Sequence, residues 1–396
     1  MKNLTCQKHL FSLPNEISYF NNAYMAPSLK AVSAAGIAGV EQKNRPYEVL
    51  PTHFFEDTEA LRAEYARLIN VTDPQRIVTI PSVSYGIANA ARNIDFEPGD
   101  EILLIDEQFP SNVYVWQRLA KEQALSIRVV APPETSEHRG KAWNERILAA
   151  ISPQTKVVAM AQVHWADGTL FDLEAIRRRT HETKSLLIID GTQSVGALPF
   201  NVATIQPDAL VCAGYKWLMG GYSLGLAYYG EYFDQGTPIE ENWMNRHESE
   251  NFAGLVNYQE KYQEGALRYE VGEHSNFILI PMLKAAITQI NEWGVANIQA
   301  YTQALTQAMV TRLRVKGCWI EDENHRAAHI IGVHLPNGVD VAHVKDLLTS
   351  QQVYVSVRGH SIRISSHVYN NEEDIQKLLT CFEQVLDSKA ATSTER

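Results

Sequence analysis

A series of short apolar segments, separated by stretches long enough for helices, restricts the fold of this chain more than any other feature. The segments read IVTI at residues 77–80, EILLI at 101–105, SIRVV at 126–130, VVAMAQV at 157–163, LLIID at 186–190 and ALVC at 209–212. Continuous Val, Ile and Leu runs of this kind form mainly parallel sheets that helices cover on both faces. The pattern therefore predicts an α/β fold that binds its ligand at the carboxyl ends of the strands.

The character of the chain changes near residue 272, where two long helical patterns replace the alternation of strands and helices. The predicted elements beyond that point are helices at 277–291, 295–316 and 372–386, and strands at 328–335, 353–357 and 361–365. We therefore predict an N-terminal segment, a large domain with a mainly parallel sheet, and a small α+β C-terminal domain. Their boundaries are predicted at residues 1–20, 21–271 and 272–396.

Charge and cysteine content exclude several classes of function. The 396 residues include 35 Lys and Arg against 46 Asp and Glu, and the net charge of −11 repels nucleic acids and anionic membranes. The 4 cysteines form no C-x-x-C pair, so neither a zinc cluster nor a disulfide framework is indicated. Because no segment resembles a signal peptide or a membrane span, we expect a cytoplasmic protein with a small-molecule substrate and no metal.

An acid and a lysine each follow an apolar strand. Asp190 ends the strand in SLLIIDGTQSVG at 185–196, and Lys216 follows the next strand in DALVCAGYKWLMGG at 208–221. A lysine that forms a Schiff base and an acid that keeps a pyridine nitrogen protonated are the groups that pyridoxal 5′-phosphate (PLP) requires. The alternative is a capping Asp and an unrelated surface Lys. Placement of both at one sheet edge favours the PLP interpretation.

These two segments resemble the class-V aminotransferase family of fold-type-I PLP enzymes, which includes cysteine desulfurases, kynureninases and isopenicillin-N-epimerase-like proteins. The resemblance rests on Asp-Gly-x-Gln-Ser-x-Gly followed by Lys-Trp, and it extends over nearly the whole chain. It implies a sheet of the seven-stranded type and a homodimer. It also implies that Asp190 pairs with the pyridine nitrogen, that Gln193 lies near the ring phenol oxygen, and that Lys216 is the Schiff-base lysine.

The phosphate of the cofactor is expected at the first turn from strand to helix. Residues 80–93, IPSVSYGIANAARN, offer Ser82, Val83 and Ser84 at the start of a helix, where backbone N–H groups bind anions. An N-cap serine without a ligand is the alternative. By the resemblance, Tyr215 adds its hydroxyl to this site.

Two further cofactor contacts are implied by the resemblance. Phe109, in DEQFPSNVYVW at 106–116, corresponds to a phenylalanine that stacks on the ring in kynureninase-like and epimerase-like relatives. Packing of Phe109 in the core is the alternative. Ser275 corresponds to a residue that reaches the phosphate from a neighbouring subunit, although Gly272-Glu273 stands where the family often has Gly-Thr.

Substrate contacts are expected from the segment VYVSVRGHSIRISSHVYN at 353–370, which resembles the family's Arg-x-Ser…Tyr-Asn ending. A guanidinium group pairs well with a carboxylate. The resemblance implies that Arg363 binds the α-carboxylate of an amino acid, with Arg358 as a second contact. Asn21 and Arg246 are expected at the mouth of the site.

The expected activity is therefore that of a PLP-dependent class-V aminotransferase. A PLP-dependent lyase or epimerase remains open, because the reaction depends on pocket residues that the sequence does not place. The nucleophilic cysteine of desulfurases is absent from residues 355–364. A nucleotide-dependent oxidoreductase lacks its G-x-G-x-x-G motif, and a non-catalytic PLP-binding protein is disfavoured by the intact lysine, acid and arginine. His164 and Trp165, after another strand, receive no role.

Overall fold

A seven-stranded sheet forms the centre of residues 4–394, the part of the chain that the computed structural model describes. In chain order the strands are β1 (Ser18–Tyr19), β2 (Ile77–Ile80), β3 (Glu101–Ile105), β4 (Ser126–Val130), β5 (Thr155–Ala161), β6 (Leu186–Asp190), β7 (Ala209–Ala213), β8 (Gly225–Tyr229), β9 (Ile331–His334), β10 (Val353–Tyr354), β11 (Ser356–Arg358) and β12 (Ser361–Ile364). The central sheet has the order β2-β8-β7-β6-β5-β3-β4. Strands β3 to β7 pair in parallel, so their carboxyl ends share one edge.

Helices cover both faces of this sheet. In chain order they are α1 (Lys30–Gln42), α2 (Glu56–Ile69), α3 (Val83–Arg92), α4 (Tyr114–Gln123), α5 (Arg139–Ala150), α6 (Leu173–Thr183), α7 (Val202–Ile205), α8 (Leu279–Trp293), α9 (Val295–Val315), α10 (Val341–Ser350) and α11 (Glu372–Thr394). One face packs against α2, α5, α6 and α8, and the other packs against α3 and α4. Both faces are therefore buried, which explains why the strands are apolar throughout. None of the described helices is both long and apolar enough to cross a membrane.

The predicted fold class is confirmed, since each of the six apolar segments forms a strand of the central sheet. Strand β8, which the apolar pattern does not predict, lies antiparallel between β2 and β7. Its sequence, GLAYY, is not a continuous Val, Ile and Leu run. The strand reverses direction because only a short loop, rather than a crossover helix, separates it from β7.

The C-terminal part of the chain forms a second core. An antiparallel sheet of order β11-β12-β9 packs with α9, α10 and α11. The N-terminal segment joins this part, because β1 pairs in parallel with β10 and Asn21 bridges to Ser365. Helix α8 contacts α1 and α2 and contributes to the large core. The domain boundary at residues 271 and 272 stays a prediction, and residues 1–3 and 395–396 of the outer parts lie outside the described residues.

Candidate active site

A cavity of about 380 Å³ opens at the carboxyl edge of the central sheet, where the sequence predicted chemistry. Residues that follow β2, β3, β5, β6 and β7 line it, because parallel strands deliver their ends to the same edge. The structure brings together most of the predicted cofactor contacts there: Ser82, Val83, Ser84, Phe109, Asp190, Gln193, Tyr215 and Lys216. Ser275 is buried elsewhere and is not among the lining residues.

Asp190 lies at the inner end of this cavity, as the last residue of β6. Its Oδ1 atom accepts a hydrogen bond of 3.0 Å from the backbone N–H of Thr192, a residue that the sequence analysis overlooked. Burial raises the pKa of Asp190, while the hydrogen bonds from Thr192 and the charge of Lys216 oppose that shift. An acid held in this way is suited to a cationic partner that replaces its lost hydration.

Lys216 projects into the same cavity from the loop after β7. Its Nζ atom lies 5.2 Å from the ring centroid of Phe109 and 5.6 Å from that of Tyr215. Burial lowers the pKa of Lys216 from 10.5 to about 8; the charges of Arg363 and Arg358 act in the same direction, and Asp190 opposes them. A lysine with this pKa carries a substantial neutral fraction near neutral pH, which makes its amine nucleophilic.

Gln193 is fixed by contacts on all sides. Its Nε2 donates to the backbone oxygen of Ala23 at 3.1 Å, and its Oε1 accepts from Trp217 Nε1 at 2.8 Å. The backbone oxygen of Gln193 lies 2.7 Å from Nε2 of His329, whose pKa burial lowers to about 4. A neutral His329 therefore donates this bond, because a carbonyl oxygen only accepts. The arrangement holds the Gln193 amide in one orientation at the cavity wall.

The start of α3 forms the predicted anion site. Ser82 is its N-cap, and the Ser82 Oγ accepts from the backbone N–H of Tyr85 at 3.2 Å. The hydroxyls of Ser82 and Ser84 lie 3.0 Å apart. Tyr222 and Ser223, from the loop between β7 and β8, complete the lining at this end. Neither Tyr222 nor Ser223 was predicted, because only the reversal of the chain before β8 brings them to the cavity.

A second cavity, of about 440 Å³, adjoins the first and shares Phe109, Trp165, Tyr215 and Lys216 with it. Both predicted arginines, Arg358 and Arg363, line this second cavity. Burial lowers the pKa of Arg363 to about 9, with Arg358 acting in the same direction. Burial also lowers the pKa of Arg358. Burial of a cation without a compensating anion is energetically costly, so an anion bound in this cavity would stabilise the arginines.

The other expected substrate contacts lie farther out. The Oδ1 of Asn21 accepts from the Ser356 hydroxyl at 2.7 Å, and it is the neighbouring residues 23–25 that line the second cavity. Arg246 is bound by Glu241 and by the ring of Tyr262 and lines a separate cavity. The placement of Arg246 at the mouth is therefore wrong for the single chain.

His164 and Trp165, which had no assigned role, have different surroundings. His164 is buried against Trp143, with ring centroids 5.3 Å apart, and its Nδ1 lies 3.1 Å from Oδ1 of Asp167. The other ring nitrogen, Nε2, has no hydrogen-bond partner among the described residues. Trp165 lies between Phe109 and the arginines, with its ring centroid 5.5 Å from that of Phe109. Trp165 thus connects the two cavities, whereas His164 is held by its packing.

Comparison with known proteins identifies a family pattern, related sequences and a similar solved structure. The sequence pattern described as "Aminotransferase class-V" matches residues 38–378. An uncharacterized aminotransferase of Bacillus subtilis, YcbU, is 26% identical over 81% of this chain and 82% of its own. Isopenicillin N epimerase of Amycolatopsis lactamdurans is 24% identical over 79% of this chain and 81% of its own. The apo cysteine desulfurase of Thermococcus onnurineus superposes with a TM-score of 0.84 at 21% identity, covering 98% of this chain and 100% of that one.

Proposed function

The chain belongs to the aminotransferase class-V family, and on that premise we propose that it is a PLP-dependent aminotransferase acting on an amino acid. The observation that supports this most is Lys216. Its buried amine has a pKa of about 8 and lies between the acid at the inner end and the arginines at the mouth. A nucleophilic amine, a buried acid and a carboxylate-binding cation are the three groups that PLP chemistry on amino acids needs.

The residues of the two cavities fit the cofactor. The helix start at Ser82 and Ser84 suits its phosphate, and Asp190 suits the pyridine nitrogen, whose positive charge would offset the burial that raises the pKa of Asp190. Gln193 presents a fixed amide at the wall. Phe109, over which the Lys216 amine lies, offers its ring for stacking.

Bound PLP supplies an electron sink that makes the Cα proton of an attached amino acid acidic. In our proposal Arg363, whose buried Nε and Nη2 have no partner among the described residues, holds the α-carboxylate. Lys216 would accept the Cα proton of the substrate at its neutral Nζ and hold it there. Trp165 and Phe109, whose rings contact each other, line the outer side of the site.

Two observations favour transamination over the alternatives. The lowered pKa of Lys216 lets its amine exchange a proton near neutral pH, and a single base on one face suits removal and return of a proton without inversion. None of the four cysteines lines either cavity, which disfavours a desulfurase that attacks through a thiol.

The test is a half-reaction. PLP-loaded protein is mixed with single amino acids without a keto acid, and the released cofactor is identified after acid denaturation. We expect conversion of PLP to pyridoxamine phosphate with the right amino acid, reversed by an α-keto acid. Lys216→Ala should slow the conversion by about 100-fold or more, since a positioned acid-base group contributes that much. Its circular dichroism spectrum serves as the control for folding.

Other products would overturn the proposal. A fragment released from the side chain without pyridoxamine phosphate would identify a lyase, and a racemised amino acid would identify an epimerase. If Lys216→Ala converts PLP to pyridoxamine phosphate at the wild-type rate, Lys216 is not the base. The homodimer and the partner-subunit role of Ser275 stay predictions, to be tested by light scattering and by Ser275→Ala.

A further inference from the structure

The hairpin of β11 and β12 places both arginines on one face. In its register Ser356 is opposite Arg363, and Arg358 is opposite Ser361. Residues directly opposite share a face of the sheet, and so do residues two apart in one strand. Arg358 and Arg363 are therefore diagonal neighbours on the same face, and such pairs lie about 7–8 Å apart. Both line the second cavity.

Neither guanidinium is neutralised within the described part of the chain. Arg363 donates through Nη1 to the backbone oxygen of Trp165 at 2.7 Å, and Arg358 donates through Nη1 to that of Val357 at 2.7 Å. The buried Nε of Arg358 and the buried Nε and Nη2 of Arg363 have no partner. Each guanidinium thus keeps donor capacity and a positive charge that no carboxylate of the described residues satisfies.

Trp165 holds the pair in place. The guanidinium carbons of Arg358 and Arg363 lie 5.2 Å and 6.0 Å from its ring centroid, within the range of cation–π attraction. The Trp165 ring is fixed by a 2.7 Å hydrogen bond from Nε1 to the backbone oxygen of Glu107. The arginines are therefore preorganised before a ligand arrives, which reduces the entropic cost of binding.

We propose that the substrate carries a second acidic group, so that Arg363 binds its α-carboxylate and Arg358 binds a carboxylate on its side chain. This inference rests on the proposed function and adds the substrate class, a dicarboxylic amino acid such as aspartate or glutamate. A substrate with one carboxylate leaves one of the two cations unpaired. A dicarboxylic substrate pairs with both arginines. An amide in place of the second carboxylate would form no ion pair with Arg358.

The test measures binding of two matched ligands, glutarate and pentanoate, by calorimetry on the PLP-loaded protein. They have the same chain length and differ in one carboxylate. We expect glutarate to bind about tenfold to hundredfold more tightly, the effect of one charge-assisted pair. Arg358→Gln should abolish this preference and weaken pentanoate less than glutarate, whereas Arg363→Gln should weaken both ligands. Arg246→Gln, which removes the same charge outside both cavities, is the matched control.

Equal binding of the two ligands to the wild type, or an unchanged preference in Arg358→Gln, would overturn this inference. A loss of preference in Arg246→Gln would do the same, since it would reveal a general charge effect. The proposed function fails by a different observation, the absence of pyridoxamine phosphate with every amino acid. If that occurs while the glutarate preference depends on Arg358, the dicarboxylate site stands and the assigned reaction is wrong.

Discussion

The lowered pKa of Lys216 can be tested without the cofactor. At pH 7 an amine with the ordinary value of 10.5 is neutral in about 0.03% of molecules, whereas an amine with a pKa of about 8 is neutral in about 10%. The neutral, reactive form of Lys216 should therefore be roughly 300-fold more abundant at pH 7 than its ordinary pKa would allow, and acylation should titrate with a midpoint near 8. Burial is the main cause of this shift, and the neighbouring charges modify it.

The charges near Lys216 allow a more specific test of its pKa. Asp190 stabilises the ammonium form of Lys216, so Asp190→Asn should lower the midpoint of the titration further. Arg358 destabilises that form, so Arg358→Gln should raise the midpoint. The two substitutions each replace a charged group by an amide and differ in the sign of the charge removed. Opposite shifts would therefore identify electrostatics, rather than general loosening of the cavity, as their cause.

The assay is pulse labelling of the apoprotein with acetic anhydride between pH 6 and pH 11, followed by mass spectrometry of the peptide that contains Lys216. The exposed Lys141 is the internal standard for the reagent. A midpoint near 10.5 would refute the reasoning about burial. Shifts of both variants in the same direction would refute the assigned charges.

Two further predictions concern stability. Glu270→Gln should lower the free energy of unfolding in urea by up to about 3–5 kcal/mol at neutral pH, because it leaves the buried Arg62 with only the half-exposed Glu59 as an anion. Burial alone would raise the pKa of Glu270, but Arg62 and other contacts lower it to about 2. The stabilisation is therefore present above the ordinary pKa of 4.5 and is lost as the pH falls towards 2. A difference in unfolding free energy between the wild type and Glu270→Gln that does not change with pH would contradict this. Gly168→Ala should lower the melting temperature more than Gly99→Ala. Both glycines have a positive φ, at 83° and 96°, but a Cβ at Gly168 would lie 2.0 Å from the backbone oxygen of Ile330, whereas a Cβ at Gly99 would meet no atom within 4 Å. Equal losses would show that backbone strain alone decides.

The parts of the site that could be predicted from the sequence are those carried by single strands. Asp190 is the last residue of a buried strand and Lys216 lies in the loop after the next one, so the parallel sheet brings them to the same edge. The helix start at Ser82 follows from the same rule, because an N-cap serine after a strand places its hydroxyl at the sheet edge. Local pattern and one rule of topology were sufficient for these residues.

The parts that escaped prediction depend on contacts between distant segments. Trp165 contacts Arg358 and Arg363 across nearly 200 positions of sequence, and no periodicity encodes such a meeting. Tyr222 reaches the cavity only because β8 runs antiparallel, and GLAYY gives no sign of its direction. The face of the hairpin that carries the arginines depends on its register, and a shift of one residue would have turned Arg363 away.

The placement of Lys216 and of the two arginines is a single electrostatic arrangement. Arg358 and Arg363 help to keep Lys216 neutral, and the same two cations line the second cavity, where we propose that the carboxylates of the substrate bind. When carboxylates pair with both arginines, their repulsion of the Lys216 ammonium falls, so its pKa rises and the amine becomes a stronger base. The free site thus favours a nucleophilic lysine, and the occupied site favours a proton-accepting one. A substrate with a second carboxylate strengthens this change, because it neutralises the cation that a monocarboxylate leaves exposed.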